Sequence, residues 1–250
     1  MNAKEIICAL NNPPRVYPRE AIQAAIEQKD EVVPLLLGHL EKVLEHPEQY
    51  GESMEESLLP IYAVYLLSYH RVRKAHVLLI ELASLHGEKP DDLFSDAVTE
   101  EFPKALWNTC GGDPTDIIRL INNREANEYC RSSAIQALTY GVAVKALPRK
   151  EVVEFLQGLL ADEDSAMTEE MIWYAAVSGL ARLWPGESMD ILRKVYEEEL
   201  VDSLFIGLED IEFYLEQGKA ARLSAFQQEV QRELNRTPHD EIQFWACFNS

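Results

Sequence analysis

The segment Cys110-Gly111-Gly112-Asp113-Pro114 places a thiol, two glycines and a carboxylate just ahead of a helical pattern. A thiol near a helix N-terminus is open to activation, and paired glycines let a phosphate approach backbone N–H groups. No Walker lysine, no following glycine motif and no preceding strand accompany them, so the segment reads as a tight turn between helices. The six histidines are His39, His46, His70, His76, His86 and His239. His39 and His46 stand seven residues apart beside Glu41 and Glu45, but no HExxH or two-His-one-carboxylate set occurs. They read as surface or interfacial residues, and no metal site is expected. The carboxylate pairs Glu55-Glu56, Glu100-Glu101, Glu169-Glu170 and the run Glu197-Glu198-Glu199 fall at helix starts or on solvent faces, where capping and solvation explain them. Val177-Ser178-Gly179 lacks the first glycine of a nucleophile elbow, so Ser178 reads as a small packing residue. No catalytic residue and no cofactor are assigned.

Two basic turns stand out on an acidic chain. His70-Arg71-Val72-Arg73-Lys74 sits within one helix pair and Lys145-Ala-Leu-Pro-Arg149-Lys150 at the equivalent turn two pairs on. Stacked in register, such turns make a positive edge, with Arg71, Arg73 and Lys74 as binding candidates. Trp107, Trp173, Trp184, Trp245, Tyr174 and Tyr196 read mostly as core aromatics.

The elements that must position these groups are helices. Apolar residues recur at helical spacing almost throughout, with short helices expected over 2–10, from Pro18 and over 30–45. Pro34 is expected in the first turn of the third, where a missing N–H costs little. Ser53-Met-Glu-Glu56 resembles a capping box. Four helix pairs follow: 59–69 with 74–85, 100–109 with 114–122, 127–146 with 149–161, and 169–183 with 188–200. Leu67, Leu106, Leu138 and Leu180 form one column at steps of 39, 32 and 42 residues, near the period of roughly 34–47 residues of TPR, HEAT and armadillo units. Residues 203–216 and 219–235 are expected to cap the stack, and Thr237-Pro238 to start a last helix. The fold class is therefore all-α, an α-α superhelix of the HEAT-like kind. It forms a single domain over 1–250, with N-terminal helices in 1–50, the pairs in 53–200 and capping helices in 201–250. Second helices of such units generally line a concave face. There Arg119, Glu154 and Arg193 fall in one column and Asn122, Gln157 and Tyr196 in another, the place expected for a bound peptide.

Composition narrows the classes further. With 47% hydrophobic and 26% charged residues the chain has an ordinary globular mixture. The net charge is −20, of which residues 151–250 contribute −14 (21 acids, 7 bases). A surface this acidic repels phosphate backbones and argues against general nucleic-acid binding. Cys8, Cys110, Cys130 and Cys247 form no CxxC pair, and the N-terminus carries no secretory h-region, which together predict reduced thiols in a cytoplasm. Its longest uncharged stretches, 58–69 and 132–144, fall short of a membrane span.

Several segments together resemble a bacterial family, domain of unknown function 1186. They are Tyr17-Pro-Arg-Glu-Ala21, Pro34-Leu-Leu-Leu37, Leu59-Pro-Ile-Tyr-Ala-Val-Tyr-Leu-Leu67, Asp96-Ala-Val-Thr-Glu100, Gly112-Asp113 and Glu128-Tyr-Cys-Arg-Ser-Ser-Ala134. The resemblance covers residues 1–200. It implies HEAT-like helical repeats and carries no catalytic residues over. Some relatives end in a Cys-rich zinc tail, whereas Phe244-Trp-Ala-Cys-Phe-Asn-Ser250 holds a single cysteine, so no zinc-tail function is expected. The combined expectation is a non-enzymatic scaffold or adaptor that binds a protein or peptide. The alternative is an enzyme or small-ligand sensor with an inter-helix site.

Overall fold

Proline, glycine and the apolar period cut the chain into helices close to where the sequence places them. A computed structural model describes residues 1–11, 16–50, 57–161, 170–203 and 206–248. The capping box expected at 53–56 and residue 169 lie outside the described residues. In chain order the helices are α1 (Ala3–Leu10), α2 (Arg19–Glu27), α3 (Lys29–Glu45), α4 (Leu59–Tyr69), α5 (Ala75–Ala83), α6 (Lys89–Phe94), α7 (Ala97–Glu100) and α8 (Phe102–Thr109). There follow α9 (Thr115–Asn122), α10 (Glu128–Ala143), α11 (Arg149–Leu160), α12 (Glu170–Arg182), α13 (Met189–Glu197), α14 (Leu208–Glu216), α15 (Lys219–Leu234) and α16 (Pro238–Ile242). Among the described residues there is no strand, only an isolated bridge between His86 and Ala126. No described helix is long and apolar enough to cross a membrane.

Three local departures from expectation have physical causes. Helix α3 begins at Lys29, so Pro34 lies beyond its first turn. Helices α6 and α7 occupy 89–100, a stretch assigned to no pair, and Asn127 anchors α6 by donating to Asp91 Oδ2 at 2.8 Å. The expected helix 100–109 is split, because Pro103 has no N–H and its ring clashes with the carbonyl four residues back. Helix α7 therefore stops at Glu100 and α8 restarts at Phe102.

The helices form two rows. Helices α4, α8, α10 and α12 pack on one another in succession, while α3, α5 and α9, and separately α11 and α13, follow behind. Each second helix packs on the first helix of the next pair: α5 on α8, α9 on α10, α11 on α12. Helices buried all round are apolar or small-residue all round. In α4 every residue from Leu59 to Ser68 is buried. Small residues such as Cys130, Ser133, Ala134, Ala137 and Gly141 on α10 let its neighbours come close on all sides.

A common terminus sets the register of the rows. Each first helix ends in a residue with positive φ: Arg71 (52°), Gly111 (67°), Lys145 (63°) and Trp184 (71°). Their spacing of 40, 34 and 39 residues is tighter than the leucine column's. After α4 and α10 the left-handed residue closes a Schellman turn, with Val72 N–H donating to Leu67 O at 3.0 Å and Ala146 N–H to Gly141 O at 2.9 Å. Only one of the four is glycine, although the conformation costs other residues roughly 1–2 kcal/mol.

The C-terminal helices run back along the first row. Helix α14 packs on α12 and α13, and α15 then returns over α12, α10 and α8. Helix α16 reaches α4 and α2, so the chain's end meets its beginning. There Arg19 Nη2 donates to Gln243 Oε1 at 2.8 Å, and Tyr17 hydrogen-bonds His239.

Candidate functional site

The residues chosen from sequence are spread over the second helices. Arg119 is exposed and 3.2 Å from Asp116 on its own helix, and Asn122 is exposed at the end of α9. Glu154 is exposed and 3.7 Å from Lys150, while Arg193 lies 3.8 Å from Glu212. Gln157 Nε2 donates to Glu187 O (3.1 Å) and Ser188 Oγ (3.0 Å), tying α11 to the turn before α13. Tyr196 donates its hydroxyl proton to Ile206 O at 2.6 Å. Among the described residues no hydrogen bond or ion pair joins one of these six to another.

In the basic turns, Arg71, Arg73 and Lys74 are exposed, and the Arg73 guanidinium lies against the Gly111 turn of the next pair. Arg149 is a correction to the positive edge. It is half-buried, donates to the carbonyls of Leu183 (2.7 Å) and Trp184 (2.8 Å), and forks onto Glu187 at 2.7 and 3.0 Å. That fork is the main force holding the Glu187 carboxyl down at about 2.

One further expectation is overturned. Glu101 is not a solvated capping carboxylate: it is fully buried and makes no side-chain cap. Its Oε2 is 2.7 Å from Lys104 Nζ, and Lys104 Nζ is 2.5 Å from Glu241 Oε2 on α16. His76 falls on the interfacial side of the expectation: it is buried between α5 and α8, its Nδ1 lies 3.0 Å from Thr109 Oγ1, and burial pushes its pKa down.

The Glu101–Lys104–Glu241 cluster is the most unusual chemistry among the described residues. Burial pushes the Glu101 carboxyl up to about 8, against the lowering influence of Lys104. Burial alone would depress Lys104, but Glu101 and Glu241 outweigh it and hold the ammonium above its ordinary range. Neither Glu101 oxygen makes a hydrogen bond of good geometry among the described residues, although the ammonium is close, and Asn108 Oδ1 nearby is also unpaired. Removing one partner of such a buried pair costs about 3–5 kcal/mol, because the other charge is left uncompensated. Here one lysine has two carboxylates. The sequence carried a signal for this: Glu101 and Lys104 stand three apart inside an otherwise apolar stretch, a pairing a helix brings together.

An open cleft of about 560 Å³ lies beside the cluster, walled by Tyr65, Glu100, Gln136, Glu233, Glu241 and Trp245. Gln136 and Thr99 also line a smaller pocket of about 150 Å³, which runs between α10 and α12 to Tyr174, Ser178 and Arg182. The two adjoin at Thr99 and Gln136 to form one groove; the exposed lining of the cleft, bounded by the end of α15 and by α16, is mostly polar, and that of the smaller pocket mostly apolar. Gln136 Nε2 donates to the Tyr140 hydroxyl at 2.7 Å, and that hydroxyl hydrogen-bonds Glu233. Ser132, Ser133 and Thr139 donate to the carbonyls of Tyr129, Val98 and Gln136. No histidine lines either described part of the groove; the carboxylates there are Glu100, Glu233, Asp240 and Glu241. Among the described residues no group of three or more His, Cys, Asp or Glu side chains is placed to hold a metal ion. What the groove offers is hydrogen bonding, the guanidinium groups of Arg182 and Arg236, carboxylates and aromatic faces.

Two relatives are similar along most of the chain. An uncharacterized protein of Chlamydia muridarum (strain MoPn / Nigg) is 31% identical over 199 residues, covering 79% of this chain and 78% of the relative. An uncharacterized protein of Chlamydia trachomatis serovar D is 30% identical over 199 residues, covering 79% and 77%. No solved structure matches the chain. The model of the family described as "Protein of unknown function (DUF1186)" matches residues 1–249, taking in the returning C-terminal helices as well as the four pairs. The chain belongs to the DUF1186 family.

Proposed function

We propose that the protein is a non-enzymatic scaffold that holds an extended peptide or protein segment, and that its two helical rows make a short HEAT-like superhelix. The observation that carries this is the pair of adjoining pockets that meet at Gln136 on α10, lined by residues from Trp245 at one side to Arg182 at the other. Hydroxyl, amide and guanidinium groups beside apolar surface suit a polypeptide main chain with occasional charged side chains. The net charge of −20 favours a protein partner over nucleic acid. Cysteines that form no disulfide, with two of the four buried, fit work in a reducing cytoplasm. The second-helix set Arg119, Asn122, Glu154, Gln157, Arg193 and Tyr196, expected on a concave face, with Arg71, Arg73 and Lys74, is a second surface for the same partner or another.

Affinity capture followed by crosslinking mass spectrometry tests this with two variants. Ser178→Trp fills the smaller pocket, and Arg119→Ala/Arg193→Ala alters only the second-helix surface. A partner lost with Ser178→Trp and kept with the arginine pair supports the groove. Loss with the arginine pair alone moves the site to the second helices.

A small-ligand site is the second reading, favoured by the aromatic walls of the cleft at Tyr65 and Trp245 beside the perturbed Glu101. Thermal-shift screening of metabolites, with Tyr65→Ala as control, separates the two.

A further inference from the structure

We propose that the segment 238–248 is an internal stand-in for a partner: the surface it covers is a docking site for a short segment carrying a carboxylate and, four residues later, a large aromatic ring, as Glu241 and Trp245 stand here. This deepens the peptide-binding reading and rests on it for the existence of a partner.

The receiving groups all belong to the body of the molecule. Lys104 on α8 takes the carboxylate of Glu241. Tyr62 and Tyr65 on α4 take Trp245, the first stacked on its ring (centroids 5.9 Å apart, planes at 8°), the second edge-on at 5.4 Å. Beside them, Arg19 and Gln23 on α2 bind Gln243 and His239. The charge and ring pattern of this surface selects its occupant. A basic or purely aliphatic segment would leave Lys104 and the tyrosine faces unmatched.

The segment itself is poorly equipped to be permanent core. It is a five-residue helix followed by a 3₁₀ turn, too short to hold helical structure undocked. Phe244 points outward, 73% exposed. Only Pro238 and Ile242 are buried in α16.

Departure of the segment would also leave no orphaned charge. Lys104 keeps Glu101 at 2.7 Å, and Glu101, which the neighbouring Glu241 charge helps to hold protonated, releases its proton to the opened cleft and takes over as counter-ion once Glu241 leaves. A fixed internal ion pair needs one carboxylate. A lysine with a second carboxylate in reserve is arranged for a counter-ion that comes and goes. Departure would open the end of the 560 Å³ cleft, of which Glu241 and Trp245 form one wall, and bare Tyr62 and Tyr65, now 1% and 3% exposed.

The test uses the full chain with Trp245→Ala/Phe248→Ala to loosen the segment, and a fluorescein-labelled synthetic peptide with the sequence of residues 236–248 as probe. Amide hydrogen exchange in 238–248 should speed up by about tenfold or more while α4, α8 and α10 stay protected. The probe should bind the loosened chain at least about tenfold more tightly than the unaltered chain. The same peptide with glutamine at the position of Glu241 should lose about tenfold, a readout needing no further change to the protein. Three results would overturn the proposal: no probe binding to a loosened chain, exchange that spreads through the whole fold, or a segment that stays protected. Concentration-dependent dimers in sedimentation would overturn it too, by giving the site to a second copy. Because the probe is a defined peptide, its failure does not bear on whether the α10–α12 groove binds a partner, which Ser178→Trp reports.

Discussion

Lys104 and Glu241, 137 residues apart in the chain, meet at 2.5 Å at the wall of the open cleft. The contact fixes the end of the C-terminal return to the middle of the helical stack. It does so beside Glu101, so that three ionisable groups share one buried site with one positive charge among them.

The three members should not be equivalent. Lys104→Met is expected to cost about 3 kcal/mol, since it leaves the Glu241 carboxylate without its cation and the enclosed Glu101 without a partner. Glu241→Gln should cost only about 1–2 kcal/mol, because Glu101 remains to balance the lysine. Urea unfolding of the two variants measures this, and equal losses would show that Glu101 does not act as the reserve.

Stability should fall as pH rises through neutrality to about 8. Glu101 is pushed up to about 8 by burial, from an ordinary carboxylate value near 4.3. Between those values the folded chain holds a proton that the unfolded chain has released, so this contribution is complete in acid and lost as pH passes through about 8. His39, pushed down to about 4 by burial and then by Lys42, acts oppositely and only below its ordinary value of about 6.5. From about pH 6.5 to 8 the melting temperature of the unaltered chain should therefore decline while that of Glu101→Gln stays level; parallel curves would refute the assignment.

Lys145→Gly should stabilise the protein by roughly 0.5–1 kcal/mol, because Lys145 is exposed and held at φ 63°. Trp184→Gly, at a similar φ, should destabilise it. Its ring carries the Arg149 and Lys219 cations at 6.0 and 5.2 Å. Thermal melts of the pair distinguish backbone strain from side-chain packing.

Gly141→Ala should destabilise by about 1–3 kcal/mol. A Cβ there would stand 2.6 Å from both Leu147 Cδ1 and Trp107 Cζ3. Gly158→Ala on α11, with nothing near, should instead gain up to about 1 kcal/mol in helix propensity. Chemical denaturation of the two variants should show opposite signs.

What the sequence determined by itself is local. Apolar spacing placed the helices of the four pairs within a few residues, since a helix's bonds and faces are set by neighbours three and four positions away. The turn at Gly111-Gly112 and the stop at His46-Pro47 were legible for the same reason. The family was legible too, from short segments such as Leu59–Leu67. The tertiary structure alone decided which charges are buried. Glu100 and Glu101 are adjacent in sequence, yet one is exposed and the other enclosed, because enclosure depends on Lys104 beneath and Glu241 arriving from far along the chain. It also decided that Arg71, Lys145 and Trp184 take a conformation suited to glycine, since stacking of the next pair outweighs a local cost of a kcal/mol or two. The groove follows the same logic: its walls come from α4, α10, α12, α15 and α16, and no local pattern records that α15 and α16 turn back rather than continue outward.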